Sequence, residues 1–214
     1  MFSDGACEGD GRIQDIGFVV AIPRSHARPL IQGEVPSLDR LARDYDIRHG
    51  AAALPLDLRD AFVARKTQIG QVEIIGAIAA YLSIPELAGL DIIHWIDNQS
   101  ACAALTKGYS GKPDSARLVH AFHAWAAGSK SIVWFEYIPT DQNIADRPSR
   151  DISLAHCAYE VLPGLMSYPV RVVFPVVSDF ADPKGWMCEW RVARRACAAQ
   201  EVSDPPRSVR ARLV

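Results

Sequence analysis

The sequence predicts an α/β protein with a mixed β-sheet that is covered by helices on both faces. Two β-type segments come first, and the second, residues 15–22, is rich in valine and isoleucine. Strand and helix patterns then alternate from residue 67 to residue 150. Residues 90–98 are apolar on both faces, which is typical of a central strand that is buried on both sides.

The composition indicates a globular chain of about one domain. Its 214 residues are 49% hydrophobic and 22% charged, enough for a buried core. The net charge of −2 weakly disfavours nucleic-acid binding, because such proteins often have a basic excess. Residues 191–214 contain six arginines and two acids, so this end has a charge of +4 and the remaining chain −6.

The cysteines and apolar runs indicate an intracellular protein, in the cytoplasm or nucleus. Five cysteines without a C-x-x-C pair favour reduced thiols over a zinc site or a disulfide framework. No apolar run reaches the 18 residues typical of a membrane span, so no membrane partner is expected. The first residues lack the basic and then apolar character of a secretory signal.

The first third of the chain contains two strands and a segment that is harder to assign. Residues 2–6 ("FSDGA") are typical of a strand that enters a glycine-rich turn. Residues 15–22 form the second strand, which Pro23 ends. Residues 23–66 contain four prolines and a short helical pattern, "SLDRLARDY", and we expect a third strand among them.

The pattern is clearer from residue 67 onwards. A mostly apolar helix begins there, and the central strand follows it at residues 90–98. Two helices come next and end at glycines, Gly108 and Gly128. The last clear strand is residues 131–138, and a loop with a short helix start follows.

We therefore expect a domain over residues 1–150 and a C-terminal extension over residues 151–214. The extension contains one further strand candidate, "PVRVVFPVVSDF". Its end contains several prolines and arginines, which predicts disorder from about residue 199.

Four acids lie at the ends of predicted strands or on the apolar helix, and few lysines or arginines lie near them: Asp4, Glu73, Asp97 and Asp146. An unpaired buried carboxylate is costly, and a divalent cation would supply the missing positive charge. Hard oxygen ligands suit Mg²⁺ or Mn²⁺ and not zinc. Taken singly, each acid also has an ordinary explanation, such as a turn, a helix cap or a first helical turn.

The segments around these acids resemble the ribonuclease H family, in particular the RNase H domains of retroelement reverse transcriptases. The matching segments are "FSDGA", "QVEIIGAIAA", "WIDNQSA" and "YIPTDQNIADRPSR". The last resembles the retroelement pattern of a proline-containing loop, Asn-x-x-Asp and then Ser-Arg. The resemblance covers roughly residues 1–150 and implies a five-stranded mixed sheet whose first three strands are antiparallel.

The resemblance also implies an activity, which is hydrolysis of the RNA strand of an RNA–DNA hybrid by two Mg²⁺ or Mn²⁺ ions about 3.5–4 Å apart. It implies that Asp4 bridges the ions, that Glu73 and Asp97 bind one of them, and that Asp146 binds the other. The 2′-hydroxyl distinguishes RNA from DNA. The implied substrate contacts are Gly5, Ala6, Cys7, Gln71, Asn98 and Gln99.

Two departures from the family pattern leave alternatives open. Tyr137 stands where many relatives have a histidine before the last aspartate, and only three residues precede Asp4. We therefore expect a first strand that pairs poorly, and Met1 as an internal methionine of a longer polyprotein with an upstream reverse transcriptase domain. The alternatives are a DNA nuclease on the same fold and a degenerate domain that binds nucleic acid or a partner chain without cutting.

Overall fold

A computed structural model describes residues 1–9, 13–28, 37–65 and 67–177. The strands are β1 Phe2–Glu8, β2 Ile13–Pro23, β3 Tyr45–Ala53, β4 Asp91–Ile96, β5 Ile132–Tyr137, β6 Tyr159–Leu162 and β7 Leu165–Pro169. The α-helices are α1 Leu38–Asp44, α2 Leu56–Asp60, α3 Ile69–Ser83, α4 Gln99–Lys107, α5 Pro113–Ser129 and α6 Asp146–Arg150. Three short 3₁₀ turns lie at Pro85–Leu87, Thr140–Gln142 and Ile152–His156.

The sheet is mixed, as predicted, and its strand order is β5-β4-β1-β2-β3-β7-β6. Strands β1, β2 and β3 are antiparallel, whereas β4 and β5 run parallel to β1. The weak segment between residues 23 and 66 does contain a strand, β3, and its helical pattern forms α1. Strand β1 pairs with β2 along its whole length, so the expected poor pairing of the first strand is wrong.

The expectation of five strands is wrong, because β7 pairs with β3 and β6 pairs with β7. Pro163 and Gly164 connect β6 to β7, and Gly164 has a φ of 77° that favours glycine. Residues 159–169 therefore belong to the same sheet as the first five strands. A boundary at residue 150 does not coincide with an edge of that sheet.

The segment "PVRVVFPVVSDF" does not form the predicted strand over residues 170–177, and its last three residues lie outside the described ranges. Its apolar side chains are instead partly buried against the core, where Val170, Val172 and Phe174 pack. The Val173 backbone N–H donates to the Ser83 hydroxyl at 2.8 Å. The tail that is predicted to be disordered, from about residue 199, also lies outside the described residues.

The two faces of the sheet are covered by different helices. Gly5 and Ile16 are cross-strand partners on the face that packs against α3, and α3 in turn contacts α4 and α5. The neighbouring partners, Asp4 and Gly17, point to the opposite face, because side chains alternate along a strand. Helix α6 packs on that second face, so helices lie on both sides as predicted.

A buried polar network joins β1, α3 and β4 in the core beside Asp4. The His94 ring lies 2.8 Å from the Ser3 hydroxyl and 2.9 Å from the Tyr81 hydroxyl. Burial lowers the pKa of His94 well below its ordinary value, so the ring is neutral. The network fixes the strand that holds Asp4 against the helix that holds Glu73.

Cys7, Cys102 and Cys157 are free thiols, and the other two cysteines lie outside the described residues. Within the described ranges, no helix has both the length and the apolar character needed to span a membrane.

Candidate metal centre

Three of the four predicted acids meet at one point of the fold. Carboxylate oxygens of Asp4, Glu73 and Asp97 lie within 4.8 Å of one another. Asp4 is in β1, and Asp97 directly follows β4, the strand that pairs with β1 through Ser3 and Ile96. Asp4 follows the paired Ser3 and Asp97 follows the paired Ile96, so the parallel pairing of these strands brings the two aspartates side by side.

Glu73 reaches this point because Gly5 allows α3 to approach β1 closely. A Cβ atom on Gly5 would lie 2.9 Å from the Glu73 backbone nitrogen, closer than real Cβ atoms come. Any larger residue at this position would push α3 away from the strand. The side chain of Glu73 is only 3% exposed, so the helix places a carboxylate inside the protein.

The buried Glu73 carboxylate lacks a full set of partners. Its Oε2 atom has no hydrogen-bond partner among the described residues. Burial raises the pKa of Glu73 well above its ordinary value, Asp4 and Asp97 raise it further, and a backbone hydrogen bond from Gly5 lowers it. An orphaned buried carboxylate beside two other acids fits a cation ligand, because a cation would satisfy the oxygen and offset the repulsion.

Asp4 lies at the centre of the electrostatic repulsion. Burial raises the pKa of Asp4 to about 7, the hydrogen bond from Ser149 opposes this, and the charges of Asp97 and Asp146 raise it. The protein therefore holds a carboxylate where its charged form is costly. Such arrangements are typical of functional sites, although structural networks also produce them.

Asp146 is close to the three acids but is not part of their cluster. It is the first residue of α6, and the Arg150 guanidinium Nε donates to its Oδ1 at 2.8 Å. Its charge acts on Asp4 across the intervening space. The structure therefore brings Asp4, Glu73 and Asp97 together, while Asp146 faces an arginine.

Two residues that the sequence analysis did not single out connect α6 and its preceding loop to β1. The Ser149 hydroxyl donates to Asp4 Oδ2. The Asn143 side-chain amide donates to the Ser3 backbone oxygen at 3.1 Å, and its backbone oxygen accepts from the Asp146 N–H at 3.0 Å. Both lie in the segment "NIADRPSR", so the retroelement-like motif included them without indicating what they contact.

The predicted substrate contacts differ in how exposed they are. Gly5 and Ala6 are buried in β1 and offer only backbone, Cys7 is half-buried, and Gln99 is exposed at the start of α4. Asn98 is the N-cap of α4 and accepts from the Ser100 and Ala101 N–H groups, so Asp97 is not the cap of that helix.

Gln71, one of the predicted substrate contacts, does not reach the surface. It is 2% exposed, and its side-chain amide lies 2.8 Å from the Ser115 hydroxyl on α5. The helical turn that places Glu73 at the site directs Gln71 into the interface between α3 and α5. Its role is to join these helices.

The fold resembles those of solved structures. No protein-family model matches the chain, and no curated protein matches it. The structure is similar to the crystal structure of RNase H1 from the halophilic archaeon Halobacterium salinarum NRC-1, with 19% sequence identity and a TM-score of 0.48. The match covers 70% of this chain and 92% of that chain. A likeness of this size does not assign an activity.

Proposed function

We propose that this chain is a metal-dependent nuclease that hydrolyses the RNA strand of RNA–DNA hybrids. The observation that supports it most is the buried Glu73 carboxylate, which has an orphaned Oε2 atom and an oxygen within 4.8 Å of carboxylate oxygens from Asp4 and Asp97. Three mutually repelling acids at one point of the fold are costly without a compensating positive charge. A bound divalent cation gives them one.

Asp4, Glu73, Asp97 and Asp146 are the proposed ligands of two Mg²⁺ or Mn²⁺ ions. When bound, such a pair lowers the pKa of water and stabilises the leaving oxygen of a phosphodiester. The chain itself holds the ligands in place, since β1 and β4 fix the two aspartates and α3 fixes the glutamate. Asp146, which pairs with Arg150, lies close enough to the cluster for its charge to act on Asp4.

The choice of an RNA–DNA hybrid as the substrate is based on the motif resemblance and on the residues beside Asp97. The Asn98 side-chain oxygen caps α4, and its Nδ2 has no partner among the described residues. Together with Gln99 and the backbone at Cys7, this amide can donate to 2′-hydroxyl and phosphate oxygens. A retroelement origin and an upstream reverse transcriptase domain rest on the "NIADRPSR" pattern, and the reading frame upstream of Met1 tests them.

The decisive experiment compares variants of two aspartates that lie at opposite ends of β4. Asp97→Asn removes a proposed ligand, whereas Asp91→Asn changes an exposed acid at the other end of β4. With a labelled RNA–DNA hybrid and Mg²⁺ or Mn²⁺, we expect Asp97→Asn to lose more than about 100-fold in rate, because even outer-shell partners of a metal cost 10–100-fold. Equal rates for the wild type and Asp97→Asn would reject the proposal. Duplex DNA as the substrate separates an RNase H from a DNA nuclease.

Two observations favour a second candidate, a non-catalytic domain that binds nucleic acid or a partner chain. Asp146 pairs with Arg150, and the half-exposed Tyr137 occupies the place of the family histidine. A metal titration distinguishes the two candidates. A domain without a working site should show no rise in melting temperature with Mg²⁺ or Mn²⁺, whereas a metal-binding nuclease should.

A further inference from the structure

We infer that Ser149 is a positioning residue for the metal centre, which fixes the orientation of the Asp4 carboxylate. The inference rests on the proposed function and extends it to a residue that contacts neither substrate nor metal. Its basis is one buried hydrogen bond from α6 to β1, across the second face of the sheet.

The Ser149 side chain is fully enclosed by protein. Its exposed fraction is 0%, and its hydroxyl donates to Asp4 Oδ2. The other oxygen near it is the Asp146 backbone carbonyl, 2.9 Å away in the same helix. A single hydroxyl hydrogen thus lies between two acceptors, and the charged acceptor gives the stronger bond.

The backbone of α6 sets the position of the Ser149 hydroxyl. The Ser149 N–H donates to the Ala145 backbone oxygen at 3.2 Å, and α6 lies against β2 at Gly17, where no side chain intervenes. A serine side chain has one rotatable bond before its oxygen. The hydroxyl therefore approaches Asp4 from a nearly fixed direction.

This hydrogen bond restricts the rotation of the Asp4 carboxylate. Turning the carboxylate plane would take a buried carboxylate oxygen away from its hydroxyl donor, which is costly. Asp4 therefore keeps one orientation towards Glu73 and Asp97 whether or not a cation is bound. Partners of this kind typically contribute 10–100-fold to metal affinity or activity.

The test measures Mg²⁺ and Mn²⁺ binding by calorimetry, with the full chain and three variants. Ser149→Ala removes the donor and should weaken binding 10–100-fold. Ser149→Cys retains a weak donor of similar shape and should lie between Ser149→Ala and the wild type. Ser167→Ala is the matched control, because Ser167 is equally buried and bonds the His49 ring at 2.9 Å in another part of the sheet.

The outcomes separate the inference from the function on which it rests. If the wild type binds neither metal, the metal centre and the inference both fail. If the wild type binds and Ser149→Ala binds with the same affinity, the inference alone fails. Equal weakening by Ser149→Ala and Ser167→Ala would indicate general loosening and would also overturn it. Support requires loss in Ser149→Ala, partial recovery in Ser149→Cys and unchanged binding in Ser167→Ala.

Discussion

Gly17 lies directly opposite Asp4 in the β1–β2 ladder, and helix α6 fills the space that a side chain on Gly17 would occupy. A Cβ atom there would overlap the Ser149 backbone nitrogen and lie 2.8 Å from the Ala145 backbone oxygen. The absence of one methyl group thus allows α6 to contact the sheet beside Asp4. Both Asp146 and Ser149 depend on that contact for their positions.

Gly17→Ala should therefore displace α6 and weaken the site. Its Cβ meets backbone atoms, which cannot move aside cheaply, so we expect a loss of about 1–3 kcal/mol in the free energy of unfolding. Urea unfolding measures this loss, and calorimetry with Mg²⁺ measures the weaker metal binding. Gly70→Ala is the control, because its Cβ would lie 3.6 Å from the Ser100 hydroxyl oxygen and an alanine suits a helix. Equal stability of both variants would contradict the expectation.

Local sequence patterns predict the order of the first five strands and their helices, and the motif resemblance predicts that the acids meet. Asp97 directly follows a strand with a clear apolar pattern, and Asp4 lies in the short segment before the first glycine-rich turn. Glu73 was recognisable as the acid of an otherwise apolar helix. Burial of that helix then requires a partner for the acid.

The remaining features depend on contacts between distant parts of the chain. The hydrogen bond from Ser149 to Asp4 joins residues 145 positions apart, and no local pattern indicates it. Gln71 has the polarity of a surface residue, yet α5 covers it. The β6–β7 hairpin does have a local signal, Pro163-Gly164, but the pairing of β7 with β3 is again a long-range contact.

The stability of the metal-free protein should fall as the pH rises. The folded pKa of Asp4 is about 7 and its unfolded value is 3.8, so the folded state retains a proton that the unfolded state releases between these values. The stabilisation is complete below pH 3.8 and is lost as the pH rises towards 7. Glu73 shifts in the same direction.

This pH dependence is measured by urea unfolding in EDTA, as the difference between the wild type and Asp4→Asn. The variant cannot lose a proton at this position, so we expect it to gain stability relative to the wild type as the pH rises, by a few kcal/mol, about 1.4 kcal/mol for each unit of pKa shift. Mg²⁺ at pH 8 should restore the stability of the wild type and should not change that of the variant. A difference that is constant from pH 4 to pH 8 would refute the expectation.

Asn143 should hold the loop before Asp146 to strand β1. Asn143→Ala leaves the Ser3 backbone oxygen and the Ala145 N–H without their partners, at a cost of about 1–3 kcal/mol. Asn143→Asp keeps an acceptor for Ala145 but places a carboxylate against the Ser3 oxygen, and it should be at least as harmful. Thermal melting checks both variants against Gln142→Ala, an exposed neighbour. Melting temperatures equal to that of the control would show that the contact is unimportant.

Arg150 should compete with a metal ion for Asp146. Its Nε lies 2.8 Å from Asp146 Oδ1, and the two side chains are 52% and 33% exposed, so the pair contributes at most about 1 kcal/mol to stability. Arg150→Gln removes the competing charge and should lower the Mg²⁺ concentration for half-maximal hybrid cleavage by about two- to five-fold, as expected for an exposed ion pair. Arg117→Gln, on the exposed side of α5, is the control for the loss of one positive charge. A Mg²⁺ midpoint that stays equal or rises in Arg150→Gln would mean that Arg150 supports Asp146 as a ligand and does not compete with the metal.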